Sequence, residues 1–383
     1  MKIGMVCYPT YGGSGIVATE LGMDLAKRGH EVHFISTSLP ARLNITLSNI
    51  QFHKVNVETY PLFEFQPYSL ALSSIIVNLA QTYGLDLIHV HYAIPHAYAA
   101  YFAKQILLEK GIHLPVITTL HGTDITLVGS HPAYKAAVEF SINKSDVVTS
   151  VSDSLKKETF DYFEVTNKIQ VIPNFIDNSK FDTCETCDCR DSIATNKEKI
   201  IIHVSNLRKV KRLLDVVKVF YEIQKEVEAK LIIVGEGPEW EKANVLIEDL
   251  GISHKVKALG KVNDLYTILC SADLFLLPSE KESFGLAALE SMAARVPVIS
   301  SNAGGIPEVN IDGKTGFVLP VGDVQGMTEK ALYLLKNPEI LKEFRENAKK
   351  QAIYFDKKRV LPLYEKLYES VFKGTAFEKQ NEI

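Results

Sequence analysis

The chain has 383 residues, of which 46% are hydrophobic and 23% are charged, and its formal net charge at pH 7 is −4. This length exceeds what one hydrophobic core usually serves, so the composition predicts two compact domains and excludes disorder. The small negative charge gives no general attraction to nucleic acid or to an anionic membrane. No run of about 18 apolar residues and no signal-peptide pattern is found, so we expect a cytoplasmic protein without stable membrane association.

Short apolar strands alternate with amphipathic helices from the first residue onward, which is the pattern of doubly wound α/β domains built on parallel sheets. In the first half, strands are predicted at Lys2–Cys7, Glu31–Ser36, Leu85–His91, Val116–Leu120, Val147–Val151 and Ile169–Ile172. In the second half, strands are predicted at Ile200–Val204, Lys230–Val234, Lys255–Leu259, Leu274–Leu277 and Val296–Ile299.

A polar stretch without helical or strand periodicity, around residues 174–199, separates the two halves. We therefore expect one Rossmann-like domain over residues 1–170 and a second over residues 171–355. An amphipathic helix predicted within residues 356–375 is expected to complete the first domain. Because such sheets bind ligands beyond the carboxyl ends of their strands, the two domains are expected to face a shared central cleft.

A glycine-rich turn, Tyr11–Gly15, follows the first strand and leads into a helix predicted to begin near Ile16. The N–H groups of such a turn and the helix dipole suit a phosphate or a carboxylate. The looser form of the dinucleotide fingerprint also fits, but no acidic residue closes the second strand at Ser36 or Thr37, which argues against NAD. A tight turn without any ligand is the alternative.

His121 follows the strand Val116–Leu120, and Thr119 lies two residues earlier on the same strand face. A histidine at a strand end can hydrogen-bond a sugar hydroxyl. The alternative is a core histidine whose ring is satisfied by the backbone.

Three more histidines, His89, His91 and His96, surround Tyr92 along the chain. His89 and His91 share a strand face and resemble a pair of metal ligands. We interpret all three histidines as ordinary packing, and we interpret Tyr92 as a residue that lines the ligand site.

Four cations within five residues follow the strand Ile200–Val204, namely Arg208, Lys209, Lys211 and Arg212. Charge-assisted hydrogen bonds from such side chains stabilise the negative charge that grows on a departing diphosphate. A solvated helix start is the alternative. Positive charges oppose the dipole at a helix amino terminus, however, and a phosphate ligand removes that conflict.

Two carboxylates, Glu282 and Glu290, are eight residues apart across a predicted strand-to-helix turn. Glu290 lies in an otherwise apolar helix and needs a partner, for which a ribose diol is suitable. The turn Ser283–Leu286 can offer N–H groups to a diphosphate. Paired carboxylates also occur in glycoside hydrolases, but a hydrolase has no diphosphate leaving group for the cations to hold.

At these residues the chain resembles the retaining GT-B glycosyltransferases of family four, over nearly its whole length. Residues 282–290 match the family's spaced-glutamate motif, residues 304–308 the following loop, and residues 205–211 the basic phosphate motif. The resemblance implies a retaining hexosyltransferase that uses a nucleotide-sugar donor and requires neither a metal nor another cofactor. It also implies that a phosphate oxygen of the donor helps to deprotonate the acceptor.

The resemblance further implies roles for single residues. His121 and Glu282, the expected catalytic residues, hold the transferred sugar. The expected donor-binding residues are Gly13, Ser205, Asn206, Lys211, Phe284, Gly285, Leu286 and Glu290, with Lys211 on the diphosphate and Glu290 on the ribose. Where many relatives carry arginine five residues before the lysine, this chain has Asn206, and Arg208 is therefore a candidate for the acceptor instead.

Residues 7–15, 89–96 and 118–126 are similar to one branch of the family. Members of this branch join N-acetylglucosamine from UDP-N-acetylglucosamine to L-malate, the first step of bacillithiol biosynthesis. The expected acceptor-binding residues are then Ser14, Tyr92, Thr119 and Arg208. The alternatives are a lipid or polysaccharide acceptor and a nucleotide-sugar-binding regulator without turnover. A homodimer is also expected, and a nucleic-acid partner is not.

Cys184, Cys187 and Cys189 form a C-x-x-C-x-C group. It supplies three soft ligands, whereas a closed zinc site needs four. We therefore predict no metal site, and a metal-binding or redox role of the three thiols is the open alternative.

Overall fold

The computed structural model describes residues 1–57, 66–182, 190, 193–195, 197–262 and 264–375. Cys184, Cys187 and Cys189 lie outside the described residues, so their role stays a prediction. The chain divides into two compact units. The N-terminal unit comprises Met1–Asn174 with Lys358–Ile383, and the C-terminal unit comprises Phe175–Lys357.

The strands, in chain order, are β1 (Lys2–Val6), β2 (Glu31–Ser36), β3 (Ile50–Lys54), β4 (Leu87–His91), β5 (Val116–Leu120), β6 (Val147–Ser150), β7 (Ile169–Val171), β8 (Lys199–Val204), β9 (Ala229–Val234), β10 (Val256–Gly260), β11 (Leu274–Leu277), β12 (Val298–Ser301) and β13 (Gly316–Leu319). The helices are α1 (Gly13–Lys27), α2 (Tyr68–Tyr83), α3 (Tyr98–Glu109), α4 (Pro132–Lys144), α5 (Asp153–Tyr162), α6 (Leu213–Ile223), α7 (Trp240–Asp249), α8 (Leu265–Cys270), α9 (Leu286–Ala293), α10 (Ile306–Val309), α11 (Val324–Lys336), α12 (Pro338–Tyr354) and α13 (Lys357–Phe372). Short helical turns lie at Ala93–Ala97, Thr123–Leu127, Asn178–Phe181, Lys209–Lys211 and Ser253–Lys255.

Each unit is built on one parallel sheet. The N-terminal sheet has seven strands in the order β3-β2-β1-β4-β5-β6-β7, and the C-terminal sheet has six in the order β10-β9-β8-β11-β12-β13. In both sheets the order reverses beside the first strand of the unit, which is the topology of doubly wound α/β domains. The parallel α/β architecture expected from the sequence is therefore confirmed.

Every strand predicted from the sequence forms, with bounds that differ by at most two residues. Two strands were not predicted, Ile50–Lys54 and Gly316–Leu319. Both lie at an edge of their sheet and are only partly buried. Edge strands are less completely covered than central ones, so their sequence signal is weaker, although the other two edge strands, β7 and β10, were predicted.

The first helix begins at Gly13, so the start predicted near Ile16 is wrong. The N–H of Ile16 already donates to the carbonyl of Gly12 at 3.1 Å. Gly15 is required inside this first turn, because a Cβ there would lie 2.5 Å from the carbonyl oxygen of Thr10. Gly13 and Gly15 therefore belong to the first turn of the helix, and Gly12 is its N-cap.

The last helix, α13, packs in the N-terminal unit through one apolar face. Tyr364 and Tyr368 on this face are fully buried. The hydroxyl of Tyr368 lies 2.7 Å from Nδ1 of His89, so the helix is joined to the centre of the sheet. Within the described part of the chain, none of the helices combines the length and apolar character that a membrane-spanning segment requires.

Candidate active site

Three predicted ligand residues of the N-terminal unit lie just beyond the carboxyl ends of β1, β4 and β5, which are neighbours in the sheet. Ser14 lies in the first turn of α1, and its hydroxyl is 2.6 Å from the hydroxyl of Tyr92. The ring centroid of Tyr92 lies 5.2 Å from that of His121. The structure thus brings Ser14, Tyr92 and His121 together at one edge of the sheet.

Tyr92 has an unusual backbone. Its φ is 91°, a left-handed value that few residues other than glycine adopt. Its N–H donates to the carbonyl of Thr119 at 2.9 Å, which anchors the residue to β5. Burial raises the pKa of the Tyr92 phenol to about 12, so the hydroxyl stays protonated and can donate. Strain of this kind is found preferentially at functional sites.

His121 is almost fully buried, and its Nε2 lies 2.8 Å from Nδ1 of His91. His91 is fully buried, as its interpretation as a packing residue expects, and its ring also contacts the ring of a predicted catalytic residue. The sequence contained a signal for this contact between His91 and His121. His91 ends β4 and His121 follows β5, and these neighbouring parallel strands pair His91 with Thr119.

Asp124 is a buried carboxylate to which the sequence analysis gave no role. It accepts hydrogen bonds from the N–H groups of Ala93, His121 and Gly122 at 2.8, 3.2 and 3.0 Å. Burial raises its pKa to about 6, while these main-chain donors oppose the rise. Asp124 therefore ties the loop after β4 to the loop after β5, and it positions both Tyr92 and His121.

The histidines of this edge are neutral at physiological pH. Burial lowers the pKa of His89 and of His121 to about 3 and that of His96 to about 4, and it lowers the pKa of His91 well below its usual value. Neutral imidazoles suit the recognition of hydroxyl groups, because each ring has one donor and one acceptor.

Thr119, a predicted acceptor contact, is fully buried. Its hydroxyl lies 2.7 Å from Nε2 of His89 and 2.7 Å from the hydroxyl of Thr149. Gly13, a predicted donor contact, is exposed at the first position of α1. Their contacts with substrates stay predictions.

In the C-terminal unit, Lys211 and Glu282 form an ion pair with 2.5 Å between Nζ and Oε2. Lys211 ends the short turn Lys209–Lys211 after β8, and Glu282 lies between β11 and α9. The strands β8 and β11 are neighbours, so both residues lie beyond the carboxyl ends of adjacent strands. Lys211, which is predicted to bind the diphosphate, thus contacts Glu282, which is predicted to hold the sugar.

Two glycines that the sequence analysis did not single out support the basic loop. A Cβ on Gly235 would lie 1.8 Å from the carbonyl oxygen of Ser205, and a Cβ on Gly237 would lie 2.6 Å from that of Leu207. The N–H of Leu207 donates to the carbonyl of Glu236 at 3.0 Å. The G-x-G spacing after β9 was the available signal, and it marks a close approach between two loops.

Gly304 and Gly305 support Glu282 in the same way. A Cβ on Gly304 would lie 1.9 Å from the carbonyl oxygen of Glu282, and a Cβ on Gly305 would lie 2.4 Å from that of Ser283. The N–H of Gly305 donates to the carbonyl of Glu282 at 3.0 Å. The loop after β12 therefore determines where the main chain of Glu282 lies.

Ser205 is held by a buried histidine. Nδ1 of His203 lies 2.9 Å from the carbonyl oxygen of Leu276, and Nε2 of His203 lies 2.8 Å from the hydroxyl of Ser205. Burial lowers the pKa of His203 to about 4, so the ring is neutral. Because a carbonyl only accepts, the proton is on Nδ1, and Nε2 accepts the proton of the Ser205 hydroxyl.

The other predicted donor residues surround the start of α9. Gly285 precedes this helix with a φ of 96°, which favours glycine, and Leu286 is its first residue. Phe284 is buried and packs edge-on against Phe355 with 5.5 Å between ring centroids. Glu290 lies on the buried side of α9 and is 8% exposed.

Asn206 and Arg208 are exposed in the loop before Lys211. Neither is fixed by packing, so both side chains are accessible to a ligand. Among the described residues, no group of three or more histidine, cysteine, aspartate or glutamate side chains is placed to hold a metal ion.

Comparisons with known proteins cover both units. The family model described as Glycosyltransferase Family 4 matches residues 11–180, and the model described as Glycosyl transferases group 1 matches residues 189–351. N-acetyl-alpha-D-glucosaminyl L-malate synthase of Bacillus anthracis is 46% identical over 376 residues, which are 97% of this chain and 98% of the relative.

The chain belongs to glycosyltransferase family 4. It is therefore a glycosyltransferase, which acts on a nucleotide-sugar donor and an acceptor substrate. A more distant relative, 2-deoxystreptamine N-acetyl-D-glucosaminyltransferase of Niallia circulans, is 24% identical and covers 94% of this chain and 98% of its own length.

Solved structures of this glycosyltransferase fold superpose over nearly the whole chain. Sucrose-phosphate synthase from Thermosynechococcus elongatus has a TM-score of 0.82 at 17% identity and covers 97% of this chain and 99% of its own. Anabaena HepE in complex with UDP and glucose has a TM-score of 0.81 at 18% identity and covers 97% and 100%. At these identities the likeness shows the fold, and the GT-B fold expected from the sequence is confirmed.

Proposed function

We propose that this glycosyltransferase transfers N-acetylglucosamine from UDP-N-acetylglucosamine to L-malate and retains the configuration of the anomeric carbon. The proposal depends on one observation above all. The relative named N-acetyl-alpha-D-glucosaminyl L-malate synthase is 46% identical to the chain over nearly the full length of both proteins. The residues at the two sheet edges supply the chemical groups that this transfer needs.

In the proposed reaction, the bond between the anomeric carbon and the phosphate oxygen breaks and UDP leaves with a growing negative charge. The ammonium group of Lys211, now paired with Glu282, is the group that would stabilise this charge. Binding of the diphosphate would give Lys211 a new partner through charge-assisted hydrogen bonds. Glu282 would then be released to hold the sugar.

The remaining donor contacts are proposed around α9. Glu290, buried on this helix, would accept hydrogen bonds from the two ribose hydroxyls. The N–H groups of Gly285 and Leu286 at the helix start would meet a phosphate oxygen, because a helix amino terminus favours negative charge.

On the acceptor side, the hydroxyl of L-malate would attack the anomeric carbon, and its proton would pass to a phosphate oxygen of the departing UDP. The paired hydroxyls of Ser14 and Tyr92 offer a donor to a malate carboxylate. Arg208, which is exposed, offers a charge to the second carboxylate. Thr119 stays a proposed acceptor contact.

The test is a transfer assay with purified protein. UDP-N-acetylglucosamine with L-malate should release UDP and give a product of the combined mass, whose anomeric coupling in a proton NMR spectrum matches that of the donor. Succinate, which lacks the attacking hydroxyl, is the matched control and should release no UDP above background. If UDP release does not depend on L-malate, the acceptor assignment fails.

Two further parts of the proposal need separate measurements. We propose that the transfer requires no metal ion, so a chelator in excess should leave the rate unchanged. We also propose a homodimer, for which sedimentation velocity should give about twice the 42.7 kDa mass of the chain.

A further inference from the structure

A chain of contacts leads from a methionine in β1 to the predicted catalytic histidine. Nε2 of His91 lies 3.2 Å from the sulfur of Met5, and Nδ1 of His91 lies 2.8 Å from Nε2 of His121. Met5 and His91 are fully buried, so no water competes for these contacts. The chemistry of the sulfur therefore decides where the protons of both rings are.

A thioether has lone pairs and no proton, so it can only accept a hydrogen bond. The nitrogen of His91 that faces Met5 must then carry a hydrogen, because two facing lone pairs would leave a buried ring nitrogen without a partner. A neutral imidazole has one ring proton, so the other nitrogen of His91, Nδ1, is an acceptor.

The same reasoning continues into His121. Its Nε2 must donate to Nδ1 of His91, and a neutral His121 then has a bare lone pair on Nδ1, the ring nitrogen that His91 does not contact. Low pKa values, caused by burial, keep both rings neutral near pH 7.

We propose that Met5, acting through His91, places the ring proton of His121 on Nε2, so that Nδ1 accepts a hydrogen bond from a hydroxyl of the transferred sugar. Met5 and His91 are thus positioning residues. The sugar contact depends on the proposed function, whereas the proton arrangement does not. Nδ1 of His121 therefore accepts a hydrogen bond from the sugar hydroxyl and does not donate one.

The first experiment needs no substrate. Protein labelled with ¹⁵N-histidine is studied by long-range ¹H–¹⁵N correlation at neutral pH, and the His91 and His121 signals are assigned from single substitutions. We expect both rings in the Nε2–H form. His121 in the Nδ1–H form would overturn the proposal, whatever the enzyme's acceptor is. In Met5→Leu, which keeps the volume but removes the sulfur, a second form of His121 should appear.

The second experiment separates positioning from packing. His91→Leu removes the acceptor for Nε2 of His121, and kcat/KM for the donor should fall about tenfold to a hundredfold. His91→Asn places an amide oxygen near the position of Nδ1 and should recover most of the loss. If both variants lose activity equally while their melting temperatures match, His91 does not act through its acceptor and the proposal fails.

The third experiment tests the direction of the sugar hydrogen bond. Donor analogues in which each sugar hydroxyl is replaced in turn by hydrogen or by fluorine are compared. At the position that His121 contacts, both replacements should remove the hydrogen bond, because fluorine cannot donate, so the part of the loss in kcat/KM that is due to His121 should be the same for both. That loss should disappear in His121→Ala. If fluorine retains the activity that hydrogen loses, His121 donates and the inference is wrong.

Discussion

The two sheet edges that carry the predicted ligand residues solve different chemical tasks. At the N-terminal edge the side chains expected to meet the ligand are neutral, namely histidine, tyrosine and serine side chains joined by hydrogen bonds such as Ser14–Tyr92 at 2.6 Å, and the one carboxylate described above, Asp124, is taken up by main-chain N–H groups. The C-terminal edge is charged, with Lys211 and Glu282 paired at 2.5 Å. A neutral group distinguishes one hydroxyl from another by the direction of its hydrogen bond, whereas a charged group stabilises a nearby anion with little dependence on direction. The contrast is consistent with the proposal that the N-terminal unit recognises the acceptor and the C-terminal unit activates the leaving group.

The largest expected effect is a difference in acid stability. His89, His96 and His121 stay neutral in the folded N-terminal unit down to pKa values of about 3 to 4, but they titrate near 6.5 when unfolded. Each therefore lowers the stability by about 1.4 kcal/mol per pH unit below 6.5. The pKa of Asp124 is raised to about 6, so its protonation below that pH stabilises the folded unit and offsets the destabilising effect of one histidine.

Acidification to about pH 4.5 should therefore unfold the N-terminal unit first. The C-terminal unit contains one histidine with such a shift, His203. Asp177 of the same unit has a lowered pKa, so the stability that its charge contributes is lost only below about pH 3.8. The single tryptophan of the chain, Trp240, reports on the C-terminal unit. On acidification, the circular dichroism signal should change at a higher pH than the fluorescence of Trp240.

The substitution His96→Gln should lower the midpoint pH of the first transition, and the exposed control His113→Gln should not. Coincident transitions would contradict the comparison.

The second prediction concerns the charged edge. Lys211→Met keeps the length of the side chain but removes its charge, so kcat should fall by about a hundredfold to a thousandfold, because the leaving diphosphate loses its counter-charge. Lys225→Met is the control, since Lys225 lies in the exposed turn after α6 and pairs with Glu222 at 2.8 Å. Steady-state kinetics measures both. A loss below about tenfold would remove Lys211 from the reaction.

The third prediction sharpens the role of the glycine loops. Gly304→Ala should lower kcat/KM about tenfold or more, because the new Cβ meets the carbonyl of Glu282 at 1.9 Å and displaces that loop. Gly313→Ala is a matched control. Gly313 also has a positive φ, 68°, but a Cβ there meets nothing within 4 Å. The control should lose only a little stability, seen as a lower melting temperature, and keep the activity. Equal activity losses would show that strain alone is responsible.

The smallest effect is expected at the neutral edge. Ser14→Ala removes one hydroxyl of the pair with Tyr92 and should raise KM for the acceptor severalfold, with little change in kcat. Tyr92→Phe should do the same, and the double substitution should cost no more than either alone, since both remove one hydrogen bond. Fully additive losses would mean that the two hydroxyls act separately.

The sequence predicted most of the fold because buried parallel strands have continuous apolar runs that end at glycine-rich or polar turns. It missed Ile50–Lys54 and Gly316–Leu319, two short edge strands that are only partly buried. The ion pair of Lys211 with Glu282 joins residues 71 positions apart, and no local pattern predicts that contact.

The contact between His91 and His121 was missed for a related reason. The ring of His91 meets His121 only because β4 and β5 are adjacent and in one register. The sequence indicates that both residues end strands, but the order of the strands in the sheet decides which ends meet. Asp124 was likewise visible as part of a motif, while its three main-chain partners come from two separate loops.

The helix α13 follows the C-terminal unit in the sequence, so the N-terminal unit cannot complete its core until α13 has been synthesised. Tyr364 and Tyr368 fill the core of the N-terminal unit, yet the ribosome makes them only after the entire C-terminal unit. Until then His89 lacks the hydroxyl of Tyr368 as its partner. The C-terminal unit, which is continuous in sequence, can fold first, and the unit that is made first is the last to close.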